Sequence, residues 1–305
     1  MTNFLFLTKR EPKIHECLIF HDESKRVFNN VWAHGVLFVP LSSYEKLKNK
    51  LWELRRKYDC LDKKLTFKDI SGNKITRTDC SIVIKEWIIW ATEALRSKNS
   101  SFALSCKLGI FFFPSSLSLN LYGGGSKDEK LLRYFETLLR MLLKGCVHGL
   151  YDENNQVVIK GLISDGSPWH RSLSETRILE RLKRELRDYV KIAKNAFIEE
   201  LPSDHKSKDC NDKDKAQMLQ LIDLLLGSVI HCCFRDLKYS SKKEIIVRPV
   251  REMLNKTKRG AGFRNSGYYK SFSINMAIPK NSGWEFLPVD VKEVKYDKIQ
   301  LKLFD

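Results

Sequence analysis

Leu18-Ile19-Phe20-His21-Asp22-Glu23-Ser24 is an apolar run that ends on two acids. Leu18, Phe20 and Asp22 alternate onto one face of a strand, so a carboxylate closes a row that otherwise reads as core. A bare carboxylate beside a packed core is costly to desolvate unless it meets a cation or good donors, and a metal ion is one such partner. The alternative is that Asp-Glu-Ser begins a polar turn, with Asp22 or Ser24 bonding its own backbone.

Working outward, 15–22 reads as a first strand and Asn30 to Leu41 as a second, paired as a hairpin. A helix follows from Tyr44 to Tyr58, with Leu47, Leu51 and Leu54 at helical spacing. Lys64 to Ile70 reads as a short strand, Asp79 to Arg96 as a helix, and Phe102 to Phe113 as a buried strand stopped by Pro114. Gly123-Gly124-Gly125 lacks the G-K-[ST] ending of a phosphate-binding loop and reads as a turn. A long, largely buried helix is expected over Lys127 to Leu150.

Val157 to Ile163 is a strand that ends on Ser164-Asp165-Gly166, repeating the plan at Asp22. Ser174 to Lys194 carries Ile178, Leu182, Leu186 and Tyr189 at helical spacing, and Ala196 to Leu201 reads as another strand. The helix from Ala216 to Phe234 is apolar nearly all round, except for one arc of Gln217, Gln220, Asp223 and Gly227. Asp223 is thus a lone carboxylate in a buried helix and needs an Arg, a cap or a metal as its partner. Strands alternating with helices define an α/β fold with a mixed central sheet flanked by helices.

The 305 residues are 43% hydrophobic, enough for a substantial core. No stretch approaches the roughly 20 apolar residues of a membrane span, so a soluble cytoplasmic protein is expected. Eight cysteines without C-x-x-C spacing disfavour a zinc knuckle and fit a reducing cytosol, while leaving a disulfide open. The net charge is +17, and Lys238 to Lys270 holds ten Lys or Arg against two acids. A polyanion is the natural partner of such a stretch, with nucleic acid preferred over anionic lipid. Lys242, Lys243, Arg248, Arg251, Lys256, Lys258, Arg259, Arg264 and Lys270 are the candidate phosphate contacts. The two units expected are a domain over 1–237 and a basic C-terminal extension or small sub-domain over 238–305, ending in strands at Phe272 to Ile278 and Ile299 to Phe304.

Asp22, Asp165 and Asp223 come from two strand ends and one buried helix, with Glu23 adjacent as a further candidate ligand. Oxygen-only ligation suits Mg²⁺ or Mn²⁺ better than zinc. Two such ions about 4 Å apart can activate a water and stabilise a leaving oxygen in phosphodiester cleavage.

Asp22-Glu23-Ser24, Asp165 and Gln220-Leu221-Ile222-Asp223-Leu224-Leu225-Leu226-Gly227 together resemble domain-of-unknown-function family 3800, over roughly residues 15 to 236. Its pattern is a first-strand D-E-S and a late helix reading Q-L-A-D-L-x-x-G. The resemblance implies a ribonuclease H-like fold and metal-dependent nuclease chemistry on DNA or RNA, with Asp22, Asp165 and Asp223 as catalytic metal ligands. It also calls for an acid after the first long helix, where Lys64 stands here; Asp69 or Glu136 on the long helix are the replacements. That departure motivates the alternative, a catalytically weak or inactive ribonuclease H-like module for nucleic-acid binding or assembly.

Overall fold

A computed structural model describes residues 11–27, 31–96, 105–114, 125–165, 177–234, 242–256, 267–280, 283–289 and 291. The order of elements is β1 (Lys13–Val27), β2 (Val31–Pro40), α1 (Leu41–Lys57), α2 (Ser81–Ala94), β3 (Lys107–Pro114), α3 (Lys127–Leu150), β4 (Asn155–Asp165), α4 (Ile178–Lys183), β5 (Val190–Leu201), α5 (Lys213–Phe234), α6 (Lys242–Asn255), β6 (Phe272–Lys280) and β7 (Gly283–Pro288). Seven strands form one mixed sheet in the order β5-β4-β1-β2-β3-β6-β7. β1, β2 and β3 make an antiparallel meander, and β4 and β5 run parallel to β1 on its other side.

The alternation of β1 divides the core into two. Leu18 and Phe20 join Leu37, Ile110, Phe112 and the apolar faces of α1, α2, α5 and α6. Cys17 and Ile19 join Val36, Phe38, Phe111, Phe113, α3 and α4 on the opposite face. Buried on both faces, the central strands need the near-continuous apolar runs they carry. α5 lies across β1 and β2. Asp22 pairs in register with Gly35, and a β-carbon on Gly35 would touch Ile222 and Leu226 of α5 at 3.3 and 3.4 Å.

A bulge in β4 decides where Asp165 faces. Cys17 pairs with Ile159 and Leu18 with Gly161, so Lys160 is an extra residue in β4. Before the bulge, Val157 and Ile159 face α3; after it Leu162 does so, while Ile163 joins the α5 side. One inserted residue thus turns Asp165 onto the face that Asp22 occupies. At the bulge Gly161 carries the Phe197 ring, which a β-carbon would meet at 2.6 Å.

Several expectations are corrected. Residues 64–70 form no strand: their amides bond to side chains of α5, not to a neighbouring strand. The helix expected to Lys194 ends at Lys183, and Val190 begins a strand instead. Pairing of Val190 and Ile192 with Val157 and Ile159 outweighs the helical spacing of Leu186 and Tyr189. The expected strand at Ile299 to Phe304 lies outside the described residues, and the partner of β6 is β7. From the basic stretch, α6 packs into the α5-side core, while β6 continues the sheet beyond β3. Cys60 and Cys80 are disulfide-bonded across the loop between α1 and α2. α5 is long and apolar enough to cross a bilayer by length and composition alone, but most of it is buried in this core.

Candidate carboxylate site

Asp22, Asp165 and Asp223 meet on the α5 face of the sheet. Asp22 is 8% exposed, and its carboxyl is pushed well above the usual range by burial first, then by the negative charges of Asp223, Glu23 and Asp165. The amide of Glu23 donates to it and partly offsets this. No Lys, Arg or His among the described residues forms an ion pair with Asp22. Burial raises Asp223 to about 6, opposed by a 2.8 Å bond from the Phe67 amide to Oδ2 and by Lys64; Asp165 raises it further and Lys68 lowers it.

Asp165 differs from both, because each of its oxygens accepts at 2.8 Å from Ser203, one from the amide and one from Oγ. Ser203 is in turn fixed through its carbonyl, which accepts from Gln220 Nε2 at 2.6 Å.

The polar arc of α5 has a structural task as well. Gln220 Oε1 accepts from the amide of Leu65 at 2.9 Å, and Asp223, one turn on, accepts from that of Phe67. The Phe67 ring then lies on Gly227, where a β-carbon would come within 2.2 Å of it. Gln217 and Gln220 also accept from the buried Arg55, from Nε and Nη2, each at 2.5 Å. Arg55 Nη1 donates to the carbonyls of Cys60 and Lys63, at 2.7 Å each. The guanidinium stands 4.9 Å from the Trp87 ring centroid, and burial lowers its pKa to about 9. The loop from 59 to 80 is thereby held against α5.

This loop and α5 enclose a cleft of about 510 Å³, lined by Glu23, Phe67, Lys68, Asp223, Leu226, Gly227, Ile230 and Lys243, with Ser24 at its edge. Glu23 and Asp223 bring negative charge to this lining, and Lys68 and Lys243 bring positive charge. Lys243 Nζ sits 5.2 Å from the Phe67 ring centroid.

The other candidate ligands fall elsewhere. Glu136 is buried against the opposite face of the sheet, where Arg181 Nη1 donates to both of its oxygens at 2.7 and 2.9 Å. It is therefore an ion-pair residue on the wrong side of the sheet. Asp69 is exposed and accepts from Thr66 Oγ1 at 2.6 Å. Of the candidate acids, Glu23 and Asp223 line the cleft; Asp22 and Asp165 lie outside its lining, as do Asp69 and Glu136.

The basic stretch also divides. Lys242 is buried and paired with Asp79, and Arg251 is buried with Glu244 at 2.9 Å, so both support the fold and neither offers an open phosphate contact. Lys270 pairs with Asp152, against β4. Arg248 is half-buried and Lys256 exposed; Lys258, Arg259 and Arg264 lie outside the described residues. Among the described residues of the expected set, Lys243 lines the cleft.

Among the described residues no three His, Cys, Asp or Glu side chains form a ready ligand shell for a metal ion. Asp22 and Asp223 are the carboxylates that would hold a hard cation of the Mg²⁺ kind, which keeps most of its water and commonly takes one or two protein carboxylates. Asp165, held by Ser203, fits a supporting negative charge. Sequence patterns alone missed Arg55, Ser203 and Lys68. Arg55 was traceable, since it follows Leu51 by four residues on the apolar face of α1. No protein-family model matches the chain, and no curated protein matches it.

Proposed function

We propose that the chain is a metal-dependent phosphodiesterase acting on nucleic acid, built on a ribonuclease H-like sheet of the kind that family 3800 implies. One observation carries the reading: Asp22 is buried among Asp223, Glu23 and Asp165, acids from three separate elements, with no basic partner among the described residues. Clustered carboxylates repel one another, and a divalent cation is the partner that turns that repulsion into binding. With α1 and α2 taken as insertions between β2 and β3, the succession β1, β2, β3, α3, β4, α4, β5 and α5 supports the ribonuclease H-like reading.

Asp22 and Asp223 would hold one Mg²⁺ or Mn²⁺. When bound, the ion supplies Lewis-acid polarisation of a phosphate oxygen and charge for the departing one. Asp165, fixed by Ser203, adds negative potential behind that pair and keeps the position electrostatically selective for cations. Phe67, by donating its amide to Asp223, sets the orientation of that carboxylate toward the cleft. Leu226 and Ile230 add apolar surface to the cleft lining.

A second reading, an inactive module that binds nucleic acid or an assembly partner, is favoured by one specific feature. Both oxygens of Asp165 are occupied by Ser203, and Lys64 and Lys68 stand near Asp223. The two readings separate in a cleavage assay on labelled single- and double-stranded DNA and RNA with Mg²⁺, Mn²⁺ or EDTA. The hydrolase reading expects metal-dependent cutting that Asp22→Asn combined with Asp223→Asn lowers by at least about a hundredfold. Retention of nucleic acid without cutting under any metal would hand the site to the binding module.

A further inference from the structure

We infer that Lys68 and Lys243 form a two-point clamp for the backbone phosphates of a nucleic-acid strand, in the cleft that Glu23 and Asp223 also line. The inference rests on the phosphodiester reading above and adds to it the residues that take the strand. Basic composition alone located the contacts along 238–270, yet two of the prominent cations there, Lys242 and Arg251, are spent inside the fold. The cleft draws its positive charge instead from two elements far apart in sequence, a loop and the first turn of α6.

The argument for Lys68 is the rigidity of its loop. A lysine on a loose surface loop is a solvated charge, whereas this loop is fixed along its length. Arg55 holds the carbonyls of Cys60 and Lys63, α5 holds the amides of Leu65 and Phe67, the Lys242 amide donates to the Gly72 carbonyl at 2.9 Å, and a disulfide joins Cys60 to Cys80. Lys68 follows directly on Phe67, whose amide is bonded to Asp223, so its position relative to that carboxylate is set by the backbone. Among the described residues Lys68 makes no ion pair.

Lys243 is placed by the same aromatic ring. Its ammonium lies over Phe67, and Phe67 is seated on Gly227, which leaves the charge at the cleft wall. With both lysines and both acids in one lining, a phosphate would sit against the lysines with its reacting side toward the acids. Compact ammonium charges suit phosphate oxygens without demanding a fixed fork of donors.

The test measures binding of a labelled oligothymidylate in EDTA by fluorescence anisotropy over a salt series. It compares wild type, a Lys68→Gln, Lys243→Gln pair, and a control pair, Lys191→Gln, Lys194→Gln, which removes equal charge from exposed positions toward the start of β5. The clamp pair is expected to bind at least about tenfold more weakly and to flatten the slope of log K against log salt by about 1.4, the value for two phosphate contacts to a single strand. The control pair is expected to stay within about twofold of wild type. Equal weakening by both pairs, or by neither, overturns the clamp. Wild-type binding by the clamp pair together with metal-dependent cleavage leaves the hydrolase reading standing without it. Loss of binding by the clamp pair in a protein that cuts nothing under any metal keeps the clamp and removes the hydrolase.

Discussion

The two faces of the sheet at the ends of β1 and β4 carry the same kind of residue and treat it in opposite ways. His21 and Asp22 are neighbours in sequence, as are Ser164 and Asp165, and each pair splits across the sheet. On the α3 face His21, Ser164 and Glu136 each meet a complement. His21 bonds Ser164 Oγ at 2.8 Å and His34 at 3.1 Å, and Glu136 takes two bonds from Arg181. On the α5 face the charges of Asp223, Glu23 and Asp165 raise the cost of ionising Asp22, and that of Asp165 raises the cost of ionising Asp223. Polar groups that satisfy one another are structure. Like charges gathered under a cleft, with buried Asp22 left without a cation, mark a site.

That contrast predicts mutational effects of opposite sign. Arg181→Met strips a buried carboxylate of its partner on the α3 face and is expected to destabilise the fold by about 2 kcal/mol in urea unfolding at pH 7. Little change would mean that Glu136 is relieved by water and that the two faces differ less than described.

Asp22→Asn is expected to stabilise the protein in EDTA at pH 8, read as a higher urea midpoint than that of wild type. In the folded chain Asp22 keeps its proton to a pH well above the value of about 4 at which it ionises unfolded. Stability from this group is therefore fully present below about pH 4 and is lost as pH rises through the raised folded value. The gain from Asp22→Asn should accordingly shrink between pH 8 and pH 5. A variant less stable than wild type at pH 8 would show that Asp22 is held by a favourable partner and belongs with Glu136.

The parts of this contrast that sequence reveals are those that depend on local period. Alternation through Leu18, Phe20 and Asp22 gives the strand and the buried carboxylate, and the arc Gln217, Gln220, Asp223 and Gly227 marks one side of α5 as special. What that arc does was hidden, because its partners, Arg55 and the amides of Leu65 and Phe67, lie about 160 residues away. Asp165 reaches the α5 face only through the single extra residue at Lys160, and one residue inside an apolar run leaves no periodic trace. β5 was read partly as helix because the spacing of α4 continues past its end through Leu186 and Tyr189, while the pairing that makes the strand lies in β4. Lys64 stands where the resemblance calls for an acid; its loop docks on α5, and Lys68 of that loop lines the cleft.

Whether the carboxylates of the α5 face bind a cation is decided most directly by thermal unfolding at pH 7.5 with EDTA or with Mn²⁺ at about a hundred times its dissociation constant. Wild type and Glu136→Gln are predicted to gain about 5 °C with the metal, and Asp22→Asn combined with Asp223→Asn to gain nothing. An equal gain in the double variant, or none in the wild type, would contradict the assignment of these acids to a metal site.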